Sequence, residues 1–87
     1  MKYLMIGFTS NLPRRLEELG EVVLLATLPG DATDEFSVHY SFADQRIEGE
    51  WFRLEGELAE FVATLRGPGL RKTYVSNGVA LETKDPA

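Results

Sequence analysis

The strongest constraint on the fold is a pair of short apolar runs separated by a fully punctuated helix. Lys2 to Phe8 is apolar and rich in β-compatible residues, and reads as a strand. Thr9-Ser10-Asn11 follows with N-capping side chains, and Pro13 falls in the first helical turn, where its missing N–H costs nothing. Leu12, Leu16 and Leu19 recur at helical spacing, and Gly20 ends the helix as its C′ residue. Val22 to Leu28 is a second apolar run of strand length, stopped by Pro29-Gly30.

The next segment admits two periods. Phe36, Val38, Tyr40 and Phe42 alternate with Ser37, His39 and Ser41, which is a strand signal. A helix instead groups Glu35, Val38, His39 and Phe42 on one face, with Thr33 or Asp31 as N-cap and acidic residues in the first turn. After Trp51-Phe52, the residues Leu54, Leu58, Phe61, Val62 and Leu65 form an amphipathic helix face that Gly67-Pro68-Gly69 terminates. The tail reads as a hairpin, with arms Lys72–Val75 and Val79–Thr83 and a turn at Ser76-Asn77-Gly78. The expected organisation is one domain over residues 1–67, with residues 68–87 as a hairpin extension packed on it.

The chain has 87 residues, of which 44% are hydrophobic, so it can bury a core without covalent staples. With no cysteine, disulfides, thiolate metal sites and thiol catalysis are excluded. The apolar run at Tyr3–Phe8 is too short for a signal h-region or a membrane span, so the expectation is a cytoplasmic protein without membrane contact. The net charge of −5 opposes indiscriminate DNA binding, which needs cations against phosphates. The arginines Arg14, Arg15, Arg46, Arg53 and Arg66, with Arg71-Lys72, either gather on one face or scatter into solvent.

Residues Glu35 to Phe52 read EFSVHYSFADQRIEGEWF, with Glu35, His39, Phe42, Arg46 and Gly49-Glu50-Trp51-Phe52 at fixed intervals. Upstream, MIGFTSNLPRRLEEL spans Met5 to Leu19. Together these blocks resemble a small phage and bacterial branch of the GIY-YIG nuclease superfamily. In that superfamily a strand ending in Tyr-Ile-Gly leads through Thr-Ser-Asn into a helix carrying an arginine. The resemblance implies an α/β (α+β) fold, with a mostly antiparallel sheet of three or more strands flanked by about three helices. It also implies a helix over Glu35–Phe42, and the capping chemistry agrees.

For function, the resemblance implies phosphodiester hydrolysis with one divalent cation, Mg²⁺ or Mn²⁺, held by Glu35. Arg15 would contact phosphate and His39 would support the site, with Arg14 and Arg46 as further nucleic-acid contacts. A hard cation bound through one carboxylate, keeping several waters, is consistent with this.

Two departures stand against it. Met5 occupies the Tyr-Ile-Gly tyrosine's place, and no Gly-Ile-Tyr strand precedes Met5. Tyr3, on Met5's face of a strand, and Tyr74, in the hairpin, are the candidate substitutes. The hairpin Lys72–Thr83 is expected to pack beside the first strand in the missing strand's stead, supplying a sheet edge.

Each residue also has a structural reading. Glu35 complements a helix dipole, His39 is a hydrogen-bonded structural residue, and Arg14 or Arg15 pairs with Glu18 one turn on. Arg46 and Glu50 form an ion pair around Gly49, and Trp51 and Phe52 anchor the last helix. The expected function is a DNA-binding, metal-dependent nuclease. The alternative is a catalytically degenerate relative that binds nucleic acid or a protein partner.

Overall fold

The computed structural model describes residues 2–66 and 75–84. These form three α-helices, a single 3-10 turn at Ala43–Gln45 and one five-stranded sheet. The strands are β1 (Tyr3–Thr9), β2 (Val23–Pro29), β3 (Arg46–Glu48), β4 (Trp51–Arg53) and β5 (Gly78–Thr83). The helices are α1 (Leu12–Leu19), α2 (Ala32–Ser41) and α3 (Gly56–Arg66). The sheet order is β2-β5-β1-β4-β3 and every pairing is antiparallel, so the fold is α+β as the sequence led us to expect.

Local chemistry explains the helix starts. Asn11 caps α1 by accepting from the Arg14 N–H at 3.2 Å, and Gly20 closes it at φ +79°. Asp31 and Asp34 form a reciprocal capping box on α2, with Asp31 accepting from Asp34 N–H at 3.2 Å and Asp34 accepting from Asp31 N–H at 2.8 Å, and Asp31 also accepts from Thr33 N–H at 2.9 Å. That box settles the period conflict in favour of the helix. Glu35, Val38, His39 and Phe42 are partly buried, while Phe36, Ser37, Tyr40 and Ser41 are exposed.

Side-chain alternation splits the sheet into two faces. Leu4, Ile6, Val79, Leu81 and Phe52 join Leu58 and Val62 of α3 in the main core, with Val38 and Phe42 of α2 packed against it. Met5, Gly7, Ala80 and Glu82 point to the opposite face, where α1 places Leu12 and Arg15.

The tail departs from the expected hairpin. Of the predicted first arm, Lys72, Thr73 and Tyr74 lie outside the described residues. Asn77-Gly78 is no two-residue turn of the I′ type, because neither residue has the positive φ that turn requires. Gly78 instead opens β5, where its missing side chain admits the Leu28 carbonyl. β5 does pair with β1, through Met5↔Glu82 to Thr9↔Gly78, but it also pairs with β2. It therefore lies inside the sheet, between β2 and β1, rather than at its edge, and Val79 and Leu81 belong to the same core as residues 2–66.

Candidate functional site

β4 follows β1 only through Tyr3, Leu4 and Met5. Beyond Met5, among the described residues, no strand lies beside the outer edge of β1, and its polar groups take other partners. The Ile6 N–H donates to the Glu50 carbonyl at 2.9 Å. The His39 Nε2–H donates to the Ile6 carbonyl at 2.8 Å, which fixes the ring's tautomer because a carbonyl only accepts. The Phe8 N–H donates to Glu35 Oε2 at 2.8 Å. Two side chains of α2 thus replace ladder bonds, and the His39 ring meets Phe52 edge-on at 4.9 Å.

Arg15 approaches the same stretch from α1. Its Nε and Nη2 bind both oxygens of Glu82 at 2.9 and 3.0 Å, and Nη2 also binds Glu50 Oε1 at 2.8 Å. Glu82 is fully buried, whereas the Glu50 side chain is 42% exposed. Burial is the largest single influence on Arg15 and pulls its pKa down. The hydrogen bonds and charges of Glu82 and Glu50 outweigh it, holding the guanidinium above its ordinary value and permanently charged. Gly7 makes room for this group: a Cβ there would lie 2.5 Å from both Arg15 Nη2 and Glu50 Oε1.

Arg15, Glu35 and His39 therefore all meet Ile6-Gly7-Phe8, Arg15 over Gly7 on one face of the sheet and Glu35 and His39 at the edge of β1. The other predicted residues do not. Arg14 is exposed and pairs with Glu18 at 3.6 Å, as its solvated reading held. Arg46 does not pair with Glu50. Its Nε donates to the Gly49 carbonyl at 2.9 Å across the β3–β4 turn, because Glu50 is drawn to Arg15. Arg46 does share with His39 a shallow concavity of about 320 Å³, lined also by Phe36, Tyr40 and Ala43. Tyr3 lies on Met5's face, four residues and roughly 13 Å along the strand from Gly7. Tyr74 lies outside the described residues. Phe52 anchors α3 through the core as expected, but Trp51 opposes Met5 on the other face, with Lys84 Nζ 5.9 Å from its ring centre.

Sequence reasoning missed Glu50 and Glu82 as the partners of Arg15. The available signal was Glu82 itself, a lone carboxylate inside the apolar run Val79–Thr83. Among the described residues no three His, Cys, Asp or Glu side chains form a metal-holding group. Nor is any described helix long and apolar enough to cross a membrane. No family model, curated protein or solved structure matches the chain.

Proposed function

We propose that this chain is a GIY-YIG-like nucleic-acid-processing domain that binds DNA in the cytoplasm and hydrolyses phosphodiester bonds at the Ile6–Phe8 corner with Mg²⁺ or Mn²⁺. The observation that carries this reading is the convergence of Arg15, Glu35 and His39 on three consecutive residues of one strand. The pairing of β5 along β1 also supports it, because the strand that the resemblance finds missing would lie beside β1.

Glu35 commits one carboxylate oxygen to the Phe8 N–H, and among the described residues its other oxygen takes no hydrogen bond or ion pair. That donor set fits a hard cation that takes one carboxylate and keeps water or substrate oxygens for the rest of its shell. When bound, such an ion supplies an activated water and stabilises charge on phosphoryl oxygens. Arg15 supplies a fixed positive charge over Gly7 toward phosphate. His39, with its Nε2–H tied to Ile6, keeps Nδ1 as the lone pair that can accept a proton.

A second reading is a catalytically degenerate relative that binds nucleic acid or a protein partner. Two observations favour it: Met5 is buried where the resemblance expects a tyrosine, and Arg15 is already engaged by two carboxylates.

Cleavage of supercoiled and branched DNA, with and without Mg²⁺ or Mn²⁺, separates the two readings. The wild type and Glu35→Gln should differ, because the amide keeps an oxygen for the Phe8 N–H but no charge for a cation. Metal-dependent cutting lost in the variant is the expected result. Absence of cutting with either metal overturns the enzyme, and binding without cutting selects the degenerate relative.

A further inference from the structure

The Arg15 cluster holds one carboxylate more than its charge requires. Arg15 and Glu82 already form a complete pair, with Nε and Nη2 along one side of the guanidinium meeting both carboxylate oxygens in the interior. Glu50 adds a third group at the guanidinium's outer end, where it uses Nη2 alone. Among the described residues no hydrogen bond uses Nη1. The end-on edge formed by Nη1 and Nη2, the one that matches two oxygens of an oxyanion, is thus only half used.

Exposure and backbone anchoring mark Glu50 as the member that can leave. Its side chain is 42% exposed, against 12% for Arg15 and none for Glu82. Its carbonyl is held by the Ile6 N–H at 2.9 Å, so the carboxylate can swing away while the β3–β4 turn stays on the sheet. Arg15 keeps its orientation through Glu82 in the meantime. The bare backbone of Gly7 lies directly beneath the guanidinium.

We propose that Arg15 forms an oxyanion subsite covered by the Glu50 carboxylate, and that a phosphodiester opens it by displacing Glu50 while Glu82 holds the guanidinium in place. This rests on the reading of Arg15 as a phosphate contact and adds to it the residue that opposes binding. Ligand and cover compete for the same nitrogens, and the ligand makes two hydrogen bonds where Glu50 makes one. Free phosphate presents the same oxygens as a phosphodiester, so the test includes both.

The test is fluorescence anisotropy of a short labelled single-stranded oligonucleotide, without metal and at fixed salt, with inorganic phosphate as competitor. Glu50→Gln is compared with wild type and with Glu60→Gln, which makes the same charge change at an exposed position of α3 on the other face. Glu50→Gln should bind on the order of tenfold tighter, the equivalent of about 1.4 kcal/mol. Glu60→Gln should match wild type, and phosphate should compete more strongly in Glu50→Gln.

Equal affinity in Glu50→Gln and Glu60→Gln overturns the cover. If metal-dependent cutting persists alongside that result, the nuclease reading survives without it. A gain in Glu50→Gln with no cutting by any form keeps the subsite and removes the nuclease. A gain for free phosphate alone overturns the phosphodiester as ligand.

Discussion

Truncating Glu35 removes two things at once, a carboxylate charge and the acceptor for the Phe8 N–H. Glu35→Ala should therefore lower stability by about 1–3 kcal/mol, as expected for a part-buried donor left unpaired, while Glu35→Gln should lose much less. Urea titration of both variants reads this difference. Only the glutamine variant cleanly tests chemistry, which the contact with Phe8 made plain and the sequence did not. Arg15 and Glu50 should behave unequally. Arg15→Gln strands the Glu82 carboxylate in the interior and should cost about 3–5 kcal/mol. Glu50→Gln, at a half-exposed pair, should cost no more than about 1 kcal/mol. Similar losses in the two variants, read from their thermal midpoints, would contradict the asymmetric cluster described above.

At the scale of elements, α2 is where local and periodic signals disagreed and the cap decided. Alternation of Phe36, Val38, Tyr40 and Phe42 described a strand, but Phe36 and Tyr40 are exposed on the helix rather than shared with a core face. Hydrogen bonds from the backbone N–H groups of Asp34 and Thr33 hold the Asp31 carboxyl below its usual range. A carboxylate whose pKa is lowered by folding stabilises the native state above its unfolded pKa, and that contribution disappears as pH falls through the lowered value. The wild type should therefore lose its advantage over Asp31→Ala as pH falls from about 4, the ordinary carboxylate value. Thermal midpoints of both proteins across that range give the result; a constant gap would mean that the cap carries no charge-dependent stability. The short β3–β4 hairpin was missed because each strand has only three residues, too few for alternation to register. Its turn rests on Gly49 at φ +54° and on Arg46 gripping the Gly49 carbonyl.

At the scale of the molecule, β5 carries the sheet, because both of its edges are paired and all six of its residues are buried. Its amides should exchange most slowly with deuterated solvent, and those of β3, an exposed edge strand, fastest. Faster exchange in β5 than in β1 would place the stable unit elsewhere. Helices α1 and α3 and strands β1 and β2 followed from caps, helical spacing and apolar runs, which are local properties of neighbouring residues. The α+β class and the helical reading of α2 came from the motif resemblance, with the Asp31 cap in agreement. So did the choice of Arg15, Glu35 and His39 as candidates. The interior place of β5 between β2 and β1, the binding of Glu35 and His39 to the edge of β1, and the claim of Glu82 and Glu50 on Arg15 were decided only by tertiary structure. Each joins residues far apart in the chain: 67 positions separate Arg15 from Glu82 and 27 separate Phe8 from Glu35. Strand order, and the burial of a charge beside its partner, depend on which distant surfaces meet, and no local pattern in the sequence encodes that meeting.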